Sequence, residues 1–445
     1  MQVPGAAVGV FSRGEMLLAK GYGLANVELD VPVKPETVFQ SGSIGKQFVA
    51  TAIMMLVEQR RVSLDDSITK YFSNAPPSWR PILVENLLSH TSGLAEYETH
   101  ERIGPNGPFY ERLDFTEDQL LQKMEALPIE NRPGVNWAYR NTNYALLGFL
   151  IHKVTGRSYV DYLREHIFEP LGMTSTRLIS DSDIIKNRAA GYQWRGELQN
   201  QDWVSPTFNS TADGSLYFNV LDLAKWDNAL YSTRLLTQAS LNRMWRVYNL
   251  SDGQPNPGHY GFGWEITTQN GHRLVSHSGS GQGFTAHISR YLDDSLTVVV
   301  LTNVDSAHAR PDYMAAVIAG FADPGLLPPR LTAIPDRDPQ IASSLGALLD
   351  AIASGASTKT MAAPELEDIL EHSGPLIQKG IAPFWPGTVT LVQRVPETAG
   401  SESLRSEFRI AKGASSILVW FRLNQRGEPD LLLFQPDEAY RTTDI

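Results

Sequence analysis

The stretch Gln40-Ser41-Gly42-Ser43-Ile44-Gly45-Lys46-Gln47-Phe48, running on into Val49 to Val57, constrains this chain more than any other. Its second half is apolar and has neither Pro nor Gly. Phe48, Ala52, Met55 and Leu56 recur at helical spacing, so the segment reads as a helix buried on most of its faces. Ser43 falls where that helix should begin, a position where a Ser normally caps the first turn. Lys46 lies three residues on, which puts both side chains on one face. A hydroxyl beside a lysine at the positive end of a buried helix is a candidate activated nucleophile. Burial disfavours an ammonium, and only a neutral amine can take a serine proton. The pattern alone is cheap: Ser67-Ile68-Thr69-Lys70 also has it, in a polar setting after Asp65-Asp66 that reads as surface.

Composition removes several alternatives. The chain has 445 residues, room for two or three domains, and a formal charge of −11 that argues against nucleic acid and anionic membranes as partners. It has no Cys, hence no disulfide, thiolate chemistry or zinc-thiolate site. No apolar run reaches spanning length, and no His-Glu-x-x-His or clustered carboxylate pattern suggests a metal. No cofactor is expected. Met1 leads within a few residues into Ala6 to Phe11, which already reads as a strand, so no secretory signal is visible and the start could be trimmed. Localisation and oligomeric state are not readable.

Strand patterns occur at both ends of the first three hundred or so residues. Val8–Phe11 and Met16–Ala19 form a hairpin pattern around a Gly turn, and Tyr260–Ile266, Arg273–His277, Ala286–Tyr291 and Leu296–Leu301 run apolar or alternate. Helix patterns fill the middle: 117–124, Asn143–Ile151 and Leu221–Ala229, with Met314–Phe321 closing the region. This order implies an α/β fold, an antiparallel sheet assembled from both chain ends and flanked by helices, with a mostly helical region inserted. Residues 1–323 form this domain. Residues 324–340, with five prolines, read as a linker. Residues 341–445 read as a small α+β domain: helices over Ile341–Ile352 and 365–370, then four strands. It carries no catalytic constellation, and Trp385, Trp420 and Phe434 read as its core.

Two further motifs decide the chemistry. Tyr139-Arg140-Asn141 immediately precedes the Asn143–Ile151 helix, and His277-Ser278-Gly279 ends a strand. With Ser43-Ile44-Gly45-Lys46 they resemble the three-motif set of the serine β-lactamase and penicillin-binding superfamily, in the branch of class C β-lactamases, D-aminopeptidases, DD-carboxypeptidases and related esterases. Leu87 to Leu94, Tyr260-Gly261-Phe262-Gly263-Trp264 and Leu301-Thr302-Asn303 are similar to further landmarks of that branch.

The resemblance implies a serine hydrolase that forms an acyl-enzyme on Ser43 and cleaves small esters or amides: short-chain acyl esters, or D-amino acid amides and peptides. Lys46 and Tyr139 would share the proton work, either one as base. Asn141 would hold Lys46 or bond the substrate amide. The N–H groups of Ser43 and Ser280 would form an oxyanion hole, and Gly279 would let substrate and backbone approach. Many members have Lys where this chain has His277. An imidazole is charged only below about pH 6.5, so a carboxylate-bearing substrate is expected to fit poorly and to bind better as pH falls. β-Lactamase or DD-carboxypeptidase activity is the enzymatic alternative; a non-catalytic binding protein of the same fold is the alternative of another class. His90 reads as a structural turn residue tying loop carbonyls, and Asp213-Gly214 and Asp222 as turn and helix-cap residues.

Overall fold

The computed structural model describes residues 3–98, 112–194, 197–305, 309–327, 331–396, 404–413, 415–424 and 426–437. It divides into two compact units, Met1–Pro328 and Pro329–Ile445.

A seven-stranded antiparallel sheet organises the first unit. Strands β1 (Gly5–Ser12), β2 (Glu15–Asn26) and β3 (Val31–Pro32) come from the beginning of the chain. Strands β4 (Glu265–Gln269), β5 (His272–Gly281), β6 (Phe284–Tyr291) and β7 (Leu296–Thr302) come from the end of the unit. Their order is β3-β2-β1-β7-β6-β5-β4, so β1 pairs with β7, Ala7 opposite Leu301 and Val10 opposite Val298. Alternation then sorts the two faces. Val8, Val10, Val298 and Val300 pack under Ala315 and Ala319 of the helix Pro311–Ala322. Ala7, Phe11, Val299 and Leu301 join the larger core on the other face.

That core surrounds α1 (Lys46–Glu58), the expected buried helix. Phe48, Ala52, Ile53 and Leu56 are inaccessible to solvent. Phe48 packs edge-on to Phe168 and against Trp226 at 4.3 Å between ring centres. Leu56 and Ile53 each remove a full aliphatic side chain from water, about 1.5–3 kcal/mol apiece. The inserted region supplies α2 (Asn141–Thr155) and α3 (Val220–Leu230), both amphipathic or buried.

Several sequence expectations are corrected here. Ser43 does not cap α1; it sits inside a 3-10 turn, Gly42–Gly45, and α1 begins at Lys46 with no side-chain cap. The stretch Tyr260–Trp264 is irregular rather than strand, and β4 starts at Glu265. The cause lies at Gly263, whose φ of +77° breaks extended pairing and whose added Cβ would meet Lys46 O at 3.0 Å. Asn219, not Asp222, caps α3, accepting the Asp222 N–H at 2.9 Å. Pro324–Leu326, assigned to the linker, forms a 3-10 turn with Leu326 buried against Ala315 and Ala319.

In the second unit, helices Pro339–Ser354 and Pro364–Ile381 precede a four-stranded antiparallel meander, Thr388–Pro396, Leu404–Lys412, Ser415–Leu423 and Pro429–Pro436. Its own core contains Leu345, Leu349, Phe408, Val419 and Phe421. The second helix runs well past the predicted 365–370, through an internal Pro375. Trp420 is buried in this unit, and Trp385 and Phe434 pack partly buried against its core. Among the described residues no helix is long and apolar enough to cross a membrane.

Candidate active site

The last strand pair and the first buried helix meet at Ser43. Strand β5 pairs with β4 only from His272 to Ser276, which leaves the edge of His277–Gly281 free to face the Ser43 turn. The approach is close. A Cβ added to Gly279 would lie 2.2 Å from Ser41 O and 3.2 Å from Ser43 N, and one added to Gly42 would lie 2.6 Å from Ser280 N. Gly42 also has φ +48°, a region that L-residues rarely adopt. These distances bring the Ser280 backbone up against the Ser43 turn.

Lys46 is fully buried and its Nζ has three partners: Ser43 Oγ at 2.9 Å, Asn141 Oδ1 at 2.8 Å and Asp213 O at 2.5 Å. The last two are carbonyl oxygens and can only accept. Both hold Nζ in place beside the Ser43 hydroxyl. Asn141 is fixed in one orientation, because its Nδ2 donates to Glu98 Oε2 at 2.6 Å. The N-terminus of α2 that carries it is held by Glu96, which accepts from Asn141 N at 2.7 Å and Thr142 N at 3.2 Å.

The Tyr139 ring lies 4.9 Å from Lys46 Nζ. Its hydroxyl is shielded from solvent and makes no well-formed hydrogen bond. Burial pushes the phenol's pKa up, although Lys46 and Ser43 pull it down, so the phenol stays protonated near neutrality. His90 packs against this ring at 4.2 Å between ring centres, tilted by 34°. His90 has φ +58°, and its Nδ1 faces Arg140 N–H and Asn143 Nδ2, not the loop carbonyls expected of it. Burial keeps the imidazole well below its ordinary pKa.

His277 departs from its predicted behaviour. It is 2% exposed. Its Nδ1 lies 2.6 Å from Ser278 O, an acceptor, so Nδ1 carries the hydrogen; Nε2 then accepts from Tyr260 OH at 2.8 Å. Burial, reinforced by Lys46, lowers its pKa to about 3. The imidazole is neutral throughout the working range, and the expected charge switch near pH 6.5 is overturned. His277 and Tyr139 stand outside the lining of the cleft, whereas Ser43, Asn141 and Ser280 line it.

That cleft, of about 330 Å³, contains Asp213 and three residues the sequence did not single out, Glu98, Asp202 and Asp305, with no Lys or Arg among its described lining residues. Asp305 accepts from Ser280 Oγ at 3.0 Å and is pushed up in pKa by burial. Asp213, read from sequence as a turn residue, supplies both the carbonyl that holds Lys46 and a carboxylate in the cleft wall. Burial, with Asp213 and Glu96 nearby, raises the Glu98 pKa to about 8. The second Ser-x-x-Lys copy has no such surroundings. Ser67 Oγ accepts from Thr69 N, and Lys70 is exposed and pairs with Asp66. Among the described residues no group of three or more His, Asp or Glu side chains is arranged to hold a metal ion.

The profile of the Beta-lactamase family matches residues 1–323. Penicillin-binding protein 4* of Bacillus subtilis is 28% identical over 339 residues, 71% of this chain and 72% of that protein. A D-aminopeptidase of Gluconobacter oxydans is 27% identical over 372 residues, 82% of this chain and 68% of that protein. Among solved structures, D-amino acid amidase from Ochrobactrum anthropi SV3 superposes with a TM-score of 0.59 at 27% identity, covering 68% of this chain and 86% of that one. With residues 1–323 inside that family profile and Lys46 hydrogen-bonded to Ser43 where sheet and helix meet, the chain belongs to the beta-lactamase family and is a serine hydrolase.

Proposed function

We propose that the protein cleaves small amides and esters through an acyl-enzyme on Ser43, with amino acid amides and peptide N-termini of D configuration as the favoured class. The observation that carries this reading is the three-way coordination of Lys46 Nζ. Ser43 Oγ attacks the substrate carbonyl while its proton passes to Lys46. The N–H groups of Ser43 and Ser280 receive the developing oxyanion. Tyr139, kept protonated by burial, delivers its proton to the departing nitrogen or oxygen and is reprotonated through Lys46. Water then attacks the ester carbonyl by the reverse relay and frees Ser43. Asn141 holds Lys46 in line.

The cleft supports this substrate class. A carboxylate-lined wall, with no Lys or Arg among its described lining residues, disfavours acyl groups that bear a carboxylate and suits neutral or cationic ones. The D configuration is supported by the two relatives whose names specify D-amino acid substrates. The test is a hydrolysis panel: an acyl ester, a D-amino acid amide and its L enantiomer, a D-Ala-D-Ala peptide and a cephalosporin. Turnover of the ester and the D-amide above the last two is expected. Preference for the cephalosporin or the D-Ala-D-Ala peptide would replace this reading with the β-lactamase or carboxypeptidase one. No turnover and no acylation by any of them would leave a binding protein.

A further inference from the structure

Among the described residues, the carboxylates beside Asn141 outnumber the basic groups that could neutralise them. Glu96, Glu98 and Asp213 surround the Asn141 end of the cleft, and Lys46 is the basic group that acts on Glu98 among those residues. All three directions of its Nζ are already occupied. Glu96 is accounted for, since it caps α2. Glu98 and Asp213 are not. Both line the cleft with Ser43. Tyr97, 4% exposed, lies between them, its OH 3.1 Å from Asp213 Oδ2 and 3.3 Å from Glu98 Oε1. Asp213 is 5% exposed, and its Oδ1 has no partner among the described residues. A buried carboxylate oxygen without a donor is destabilising, and proteins retain such groups where a ligand completes them.

We infer that Glu98 and Asp213, bridged by Tyr97, form a subsite for the primary ammonium group on the acyl half of the substrate. This rests on the amidase and esterase reading above and narrows it to aminoacyl donors. An ammonium has three N–H donors and one positive charge. It can satisfy Asp213 Oδ1 and a Glu98 oxygen together while the acyl carbonyl reaches Ser43. A divalent cation fits less well, because the Lys46 nitrogen is adjacent and a third free carboxylate is lacking. Without substrate the cluster relieves its charge by keeping a proton on Glu98, whose pKa stands at about 8. The groups that face it are Asp213 and Glu96, which hold the proton on, Lys46 and Asn141, which draw it off, and the Tyr97 hydroxyl at 3.3 Å. An entering ammonium takes the proton's place, so binding releases that proton to solvent.

Two measurements test the subsite. The first compares kcat/KM for the methyl esters of D-alanine and of propionic acid, which differ by the amine alone. Wild type should prefer the alanine ester by tenfold or more, and Glu98→Gln should cut that ratio at least tenfold, since it removes the charge and keeps the acceptor for Asn141. The second measures D-alaninamide binding to Ser43→Ala by calorimetry at pH 6.5 in two buffers of different ionisation heat. Release of nearly one proton is expected for a carboxyl of this pKa, and none after adding Glu98→Gln. Equal turnover of the two esters, or a ratio unmoved by Glu98→Gln, overturns the subsite, as does binding without proton release. Hydrolysis of both esters with Ser43 dependence would show the broader reading intact while the subsite fails; loss of hydrolysis of both would show the broader reading itself at fault.

Discussion

Gly279→Ala perturbs the site by steric displacement alone. The new Cβ would stand 2.2 Å from Ser41 O, a backbone atom that cannot rotate away. Ordinary contact between such atoms needs roughly 3.3 Å, so β5 and the Ser43 turn must part by about 1 Å, and overpacking of that kind costs about 1–3 kcal/mol of stability. The same parting separates the Ser280 N–H from the Ser43 N–H. A misplacement of about 1 Å at a reacting centre lowers rate by about a hundredfold, or about 2.7 kcal/mol of barrier. The assay is the rate of acylation by an activated ester, with the melting temperature measured alongside. Gly320→Ala is the control: its Cβ would collide with Leu327 at 2.1 Å on the helix Pro311–Ala322, across the sheet from α1. It should lower the melting temperature and leave the acylation rate of the folded protein near normal. A folded Gly279→Ala protein that acylates at the normal rate would refute the idea that this strand and turn jointly hold the reacting carbonyl.

Other expectations follow from the same geometry. Lys46→Ala and Tyr139→Phe should each slow acylation by about two to four orders of magnitude; near-normal rates in single-turnover experiments would remove the proton relay. The pH–rate profile from 5 to 9 should contain no limb from His277, whose pKa of about 3 lies below the range, and a limb abolished by His277→Gln would contradict this. His277→Lys should lower the melting temperature rather than create a carboxylate anchor, because it places a cation where Tyr260 now donates; gain of cephalosporin turnover by a stably folded variant would count against that. Glu98 binds its proton more tightly when folded, its pKa rising from 4.5 to about 8. Its contribution is thus fully present below about pH 4.5 and lost as pH rises through 8. Glu98→Gln should therefore gain melting temperature relative to wild type progressively from pH 5 to 8, and a constant difference would mean Glu98 is not the group titrating.

Local pattern and long-range contact account for what the sequence did and did not reveal. Ser43 and Lys46 are three residues apart, so their hydrogen bond is written into helical spacing. Tyr139 and Asn141 were found through a motif, and the fold confirms their proximity to Lys46. The antiparallel sheet built from both ends was legible because β1 and β5–β7 are apolar runs of strand length. Glu98 was not legible, and Asp213 was legible only as a turn residue. Their significance arises from a meeting across 116 residues between Tyr97 and Asp213, and no period or motif marks either one. His277 was placed on the right strand end, yet its burial depends on Tyr260, which reaches it only because Gly263 breaks the strand expected there. The Ser43 cap was misread for a related reason: the close approach of β5 fixes a 3-10 turn where propensity favours a capped helix start.

The central claim is that Ser43 is the acylated residue, and covalent labelling tests it most directly. Wild type and Ser43→Ala would be treated with a fluorophosphonate, followed by intact mass measurement and peptide mapping. One adduct per chain on the peptide carrying Ser43, absent from the Ser43→Ala protein together with turnover, is the expected result. An adduct on another residue, or turnover that survives Ser43→Ala, would contradict the account.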